Sequence, residues 1–234
     1  MPRVIQRRRE VVNALTAWKI SHRACTGVDL TERDHWEAIY RSRAPTAVSW
    51  YQAEATQSLA LIRRAAPDLG APIIDVGGGA STLVDGLLDA GYRSVTVWDL
   101  APSALETAKR RLGDRAGVVT WVAADVMSAS LPAARYAVWH DRAVFHFLTE
   151  GAARARYVDQ ARHAVRAGGH VIVASFAADG PTRCSGLEVM RYSPEAMHAE
   201  FGEGFRLLDS MHEDHHTPSG AVQAFVYCLC RVGK

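Results

Sequence analysis

Three acids stand at or just beyond the ends of three apolar, β-branched stretches. Asp75 lies within Pro72-Ile73-Ile74-Asp75-Val76, Asp99 closes Ser94-Val95-Thr96-Val97-Trp98, and Asp125 follows Val118-Val119-Thr120-Trp121-Val122. Gly77-Gly78-Gly79 comes directly after the first stretch, and only glycine lets a backbone approach a ligand with no Cβ in the way. A dinucleotide fingerprint needs a glycine where Thr82 stands, and a phosphate loop needs a Gly-Lys-Ser/Thr that this turn lacks. A pyrophosphate would also be repelled by the Asp75 carboxylate. A ligand with a positive end suits that carboxylate. Asp99 follows Asp75 by 24 residues, close to the ~20-residue offset at which an acid meets ribose hydroxyls in related folds. Asp125 is placed to accept from an exocyclic amine of adenine.

A second set of reactive types follows, in Trp139-His140-Asp141-Arg142-Ala143-Val144-Phe145-His146-Phe147. Arg142 and His146 are four residues apart, which on a helix would put both on one face. A histidine ordinarily titrates near neutral pH, so His146 is a candidate general base, or a satisfied core histidine. Asp141 and Arg142 read as acceptor-side groups or as a structural ion pair with His140 lining an adenine pocket. Trp50 or Tyr51 could set an aromatic face against a cation. Arg183 and Cys184 sit in a long irregular insert of the kind that carries substrate contacts. His212, Asp214, His215 and His216 read as solvated, as metal ligands, or as a group reaching an acceptor pocket. The site residues expected from the sequence include no metal ligand.

The elements that must position these groups alternate. Strands are expected over 72–76, 94–99, 118–122, 136–140 and 170–176. Helices lie between them at 81–90, from Pro102 to Gly113, and across 142–167 in two pieces broken near Glu150-Gly151. Ser81 and Thr82 can cap the first of these helices. A helix at 194–201 precedes two strands, 205–212 and 222–231, whose short connection makes them antiparallel. Repeated βα units imply a parallel sheet covered on both faces. Upstream, helical patterns over 4–22, from Thr31, and over 51–66 can fold as a lid, dividing the chain into an N-terminal extension (1–66) and a core domain (67–234).

Composition is that of a soluble globular chain, 48% hydrophobic and 22% charged. No apolar run approaches the ~20 residues of a membrane span. The formal charge is +2, with residues 1–30 at +4 and the remainder at −2. That charge is too small to argue for a nucleic-acid or membrane partner, and with no basic stripe beyond the N-terminus neither is expected. The Arg-rich start is weakly compatible with a transit peptide, but Glu10 and the lack of a Ser-rich stretch favour a solvated helix or extension. Cys25, Cys184, Cys228 and Cys230 show no C-x-x-C spacing, as expected of free thiols in a cytoplasmic protein.

Taken together, Asp75-Val-Gly77-Gly78-Gly79, Asp99, Asp125 and the terminal hairpin resemble the class I S-adenosylmethionine-dependent methyltransferases over residues 70–232, with Ser81 in place of a third glycine. The resemblance implies an α/β fold, a Rossmann-like doubly wound seven-stranded sheet, mostly parallel with an antiparallel C-terminal hairpin strand. It implies S-adenosylmethionine as cofactor, held by Trp50, Asp75, Gly77, Gly78, Gly79, Asp99, Leu100, Asp125, Val126 and His140. Asp141-Arg142-Ala143 is similar locally to the Asp-Arg-Gly of thiopurine S-methyltransferase-like enzymes, which implies that Arg142 faces the acceptor and could stabilise a thiolate or selenolate. Expected catalytic residues are therefore Arg142, Asp141 and His146. The expected activity is methyl transfer to a small-molecule acceptor, with a thiol or other soft nucleophile as the acceptor group that the Asp-Arg likeness implies, by a monomer or weak homodimer. Protein lysine methylation and non-catalytic binding of S-adenosylmethionine are the alternatives.

Overall fold

The computed structural model describes residues 30–233. The helical pattern at 4–22, Cys25 and the Arg-rich start lie outside the described residues. Helix α1 (Leu30–Ser42) and helix α2 (Thr56–Ala65) precede strand β1 (Ile73–Val76). Helix α3 (Leu83–Asp89), strand β2 (Val95–Asp99), helix α4 (Pro102–Leu112), strand β3 (Thr120–Ala123) and strand β4 (Tyr136–Arg142) then alternate. Helix α5 (Gly151–Ala164), strand β5 (Val165–Phe176), a two-stranded hairpin of β6 (Arg183–Cys184) and β7 (Leu187–Glu188), and helix α6 (Pro194–Phe201) follow. Strands β8 (Phe205–His216) and β9 (Val222–Val232) end the described chain.

Seven strands form one sheet in the order β3-β2-β1-β4-β5-β9-β8. The first five pair in parallel, and β9 inserts antiparallel between β5 and β8. This is the doubly wound sheet expected from the alternation. Its central strands are buried on both faces. Ile73, Val97, Val138, Ile172 and Leu229 pack towards α2 and α3 with Leu61, Ile62, Leu83 and Leu87. Ile74, Val76, Trp139, Val171 and Val173 pack the other way, onto Tyr157, Val158 and Ala161 of α5. Cys228 and Cys230 join that second layer, both as free buried thiols. Full burial of one large aliphatic side chain contributes about 1.5–3 kcal/mol, so the central strands hold the frame that the site hangs from.

Two local readings need correction. Arg142 is the last residue of β4 rather than the start of a helix, and Ala143 after it turns the chain with φ +70°. A short 3-10 turn, Phe145–Phe147, then precedes α5. Arg142 and His146 therefore share no helix face. The Gly168-Gly169 pair lies inside β5 as a bulge, where two steps on β4 (Tyr136 to Val138) meet five on β5 (Val165 to His170).

Candidate active site

The site opens where β1, β2, β3 and β4 end. Gly77 has φ +67°, and a Cβ there would lie 2.0 Å from Val144 Cγ2. Gly79 has φ +35°, and its Cβ would fall 2.6 Å from Asp99 Oδ2. Both positions therefore require glycine, for backbone conformation and for space. A Cβ on Gly78 would meet Asp75 Oδ2 at 2.4 Å. Ser81 Oγ accepts from Leu83 N at 3.1 Å at the start of α3, whereas Thr82 Oγ1 donates to Gln52 O at 3.0 Å. Ser81 thus serves the helix start, while Thr82 ties down the segment that precedes α2.

Two adjoining cavities meet over this turn. The larger, about 540 Å³, is bordered by Asp99, Leu100, Asp125 and Val126 on the β2–β3 side, and by Trp36, Trp50, Phe147 and Cys184 on the other. Its size lies in the ~300–1,000 Å³ range of small-molecule sites. The smaller, about 50 Å³, is bordered by Asp75, Gly77, Gly78, Ser81, Tyr51 and His140. Tyr40, Trp50, Gly77 and Arg142 border both.

Each carboxylate keeps a distinct setting. Asp99 Oδ1 accepts from Ala101 N at 2.7 Å. Burial pushes the Asp99 carboxyl up to about 7, opposed by the Ala101 N–H and reinforced by the nearby Asp75 and Glu37 carboxylates. Asp125 Oδ1 accepts from Met127 N at 2.8 Å. Asp75 Oδ1 pairs with His140 Nδ1 at 2.7 Å, and His140 Nε2 with Ser58 Oγ at 2.8 Å. Asp75 Oδ2 is buried without a partner. A buried, unpaired carboxylate oxygen beside a glycine turn fits a cationic ligand group such as an ammonium. His140 is thus on the Asp75 side, under the smaller cavity, and not among the Asp99, Leu100, Asp125 and Val126 wall of the larger one.

Arg142 reaches the cavities but is already engaged. Its Nε donates to Tyr227 Oη at 2.9 Å and its Nη1 to Trp50 O at 3.2 Å, with Glu213 Oε2 3.5 Å from Nη2. The guanidinium also lies 4.2 Å over the Phe225 ring. Asp141 is fully buried, borders neither cavity and does not pair with Arg142. It accepts from Val144 N at 2.9 Å, from Phe145 N at 3.0 Å and from Tyr157 Oη. Its work is to fold the chain after β4, which corrects the expectation of a catalytic role. His146 is also fully buried and borders neither cavity. Both ring nitrogens lack partners, and burial, followed by the Arg142 charge, brings its pKa down to about 3. That geometry removes it as a general base, and among the described residues His35 of α1 is the imidazole on the larger cavity.

Several residues at or behind the wall carry no motif of their own. Trp98 and Glu188 border the larger cavity, and Tyr227 and Glu213 hold Arg142 from behind it. Trp98 and Tyr227 fit an ordinary core pattern, and Glu213 shows only as one acid among the His212–His216 cluster. Cys184, on the hairpin, borders the larger cavity with burial pushing its thiol up to about 11, whereas Arg183 is exposed. Among the described residues no group of three or more His, Cys, Asp or Glu side chains is placed to hold a metal ion.

Residues 73–169, which include the glycine turn and all three strand-end acids, match the family model of a methyltransferase domain. The fold is that of the class I S-adenosylmethionine-dependent methyltransferases. One similar structure comes from work on conversion of a disulfide bond into a thioacetal group during echinomycin biosynthesis. It shares 18% identity at a TM-score of 0.70, over 86% of this chain and 92% of the other. Another is the 1,6-didemethyltoxoflavin-N1-methyltransferase of Burkholderia thailandensis, with bound 1,6-didemethyltoxoflavin and S-adenosylhomocysteine. It shares 20% identity at a TM-score of 0.60, over 88% of this chain and 85% of the other. A curated relative, the eEF1A lysine and N-terminal methyltransferase of Mus musculus, is 26% identical over 109 residues, 47% of this chain. The matched region spans 15% of that protein's length. No specific likeness to thiopurine S-methyltransferases accompanies the fold.

Proposed function

We propose that this chain transfers the methyl group of S-adenosylmethionine to a small-molecule acceptor, most simply one with a thiol or other soft nucleophilic atom. One observation carries the reading. The cavity bounded by Gly77, Asp99, Leu100, Asp125 and Val126 continues, under α1, into a pocket walled by Trp36, Phe147, Leu148, Cys184 and Leu187. Cofactor-type and acceptor-type walls thus face one space. Bound S-adenosylmethionine would supply an activated methyl group, leaving the protein mainly to position and desolvate the acceptor.

In this reading Asp99 accepts from the ribose hydroxyls, and Asp125 with Leu100 and Val126 cradles the adenine. Asp75 Oδ2 takes the amino-acid ammonium above Gly77-Gly78. Trp50, which borders both cavities, offers its ring to the sulfonium, a contact of ~0.5–2 kcal/mol. On the acceptor side the wall is aromatic and aliphatic, and the Arg142 charge already faces Glu213. An acceptor that reaches Arg142 therefore meets a pair near neutrality, which favours an uncharged nucleophile over a tightly held anion. His35 is the residue to take a proton where the acceptor must lose one. The echinomycin-related structure, with its sulfur chemistry, supports a soft acceptor atom.

Glu32 and Glu188 on the same cavity favour a second reading, a lysine side chain as acceptor, in keeping with the murine relative. A methyl-transfer screen with labelled cofactor over thiols, amines, phenols and protein extract separates the two. Label in small thiols supports the first; label only in protein overturns it; no transfer to any acceptor leaves cofactor binding without turnover and overturns both.

A further inference from the structure

Four polar bonds converge on the irregular segment Ser49–Gln52, and each is made with a side chain 30 to 166 residues further along the chain. His215 Nε2 bonds Ser49 O at 2.7 Å, Arg142 Nη1 donates to Trp50 O at 3.2 Å, and Thr82 Oγ1 donates to Gln52 O at 3.0 Å. Gln52 Nε2 donates to Glu213 Oε1 at 3.0 Å. Glu213 Oε2 in turn accepts from Tyr227 Oη at 2.8 Å, and Tyr227 Oη accepts from Arg142 Nε at 2.9 Å.

The sheet register explains the convergence. Arg142 pairs with Ala174, Ala174 with Tyr227, and Tyr227 with Met211, so Glu213 and His215 stand two and four residues further along β8. With its period of two, β8 turns Met211, Glu213 and His215 to one face. That is the face over which Ser49–Gln52 passes. Phe225, opposite Glu213, supplies the ring beneath the Arg142 guanidinium.

We infer that Glu213 is a positioning residue: through Gln52 and Arg142 it fixes the Ser49–Gln52 segment and so sets Trp50 over the junction of the two cavities. This rests on the cofactor reading above, and it shifts Arg142 from the acceptor to the wall. An irregular segment has no ladder to hold its carbonyls, so its place is set by the groups that bond it. Loss of the Glu213 carboxylate would free Gln52 Nε2 and leave Arg142 without its counter-charge.

The test is a cycle read by calorimetry with S-adenosylmethionine, whose sulfonium is the group that Trp50 would face. Glu213→Ala is expected to raise its Kd by up to about tenfold, the scale of the aromatic–sulfonium contact that it positions. In a Trp50→Ala background the same change is expected to cost under about twofold, because the residue it positions is gone. Equal losses in both backgrounds would overturn the inference, as would no loss in either. Gln52→Ala cuts one of the two links from the other end and should give part of the Glu213→Ala loss, again absent in the Trp50→Ala background, so the test survives if Glu213→Ala folds poorly. Failure of the unaltered chain to bind S-adenosylmethionine would instead sink the cofactor reading, and the inference with it.

Discussion

At the scale of single residues, Asp99 joins two opposing demands. Its folded carboxyl titrates at about 7, above its unfolded value, so the native state holds that proton more tightly than the unfolded chain. Its contribution to stability therefore falls as pH rises between about 4 and about 7. Accepting ribose hydroxyls needs the ionised form, so affinity for S-adenosylhomocysteine should rise as pH climbs through about 7. Calorimetry at several pH values should show that rise in the unaltered chain and a flat profile in Asp99→Ala, with affinity about tenfold lower at high pH. Unchanged affinity in the variant would remove Asp99 from the ribose site. The acids and glycines were legible in the sequence because their roles depend on position relative to strand ends. The partners of Arg142 were not. Tyr227 and Glu213 lie 85 and 71 residues away from it, and only strand register brings them together.

At the scale of elements, the turn after β4 shows why neighbouring reactive types need not share a task. Asp141 and Arg142 are adjacent, but alternation along β4 sends the first into the α5 layer and the second to the cavities. The helical spacing of Arg142 and His146 misled for a related reason: Ala143 breaks the chain direction between them, and no side-chain pattern reports a positive φ at alanine. Asp141→Ala would leave Val144 N, Phe145 N and Tyr157 Oη without their acceptor. Buried orphaned donors cost about 1–3 kcal/mol each, so unfolding by urea should show a loss of at least ~3 kcal/mol. The same change should weaken S-adenosylhomocysteine binding only through that instability. Gly77→Ala acts on the site directly. Its added methyl would overlap Val144 at 2.0 Å and strain a positive φ, so binding and stability should fall together. A Gly77→Ala chain of ordinary stability and affinity would show that the turn can relax.

At the scale of the whole molecule, the layers were readable because both signals, strand-like apolar runs and helical periods, recur in order and depend on local chemistry alone. The cavity was less readable, since its walls come from α1, four strand ends and the β6–β7 hairpin, elements with no mutual periodicity. That mixed origin has a thermodynamic consequence. A ligand bridging walls drawn from so many elements binds the native assembly and finds no equivalent in the unfolded chain. At about one hundred times its Kd, such a ligand contributes about 2.7 kcal/mol to stability. For a domain of this size each kcal/mol moves Tm by about 2–4 °C. S-adenosylhomocysteine should therefore raise Tm by roughly 5–10 °C at that ratio. At the same ligand concentration Asp99→Ala, with tenfold weaker binding, should gain only about 1.4 kcal/mol and about half the shift. A full shift in the variant would place the stabilising contacts elsewhere in the cavity. No shift in the unaltered chain would mean that the ligand does not close these walls at all.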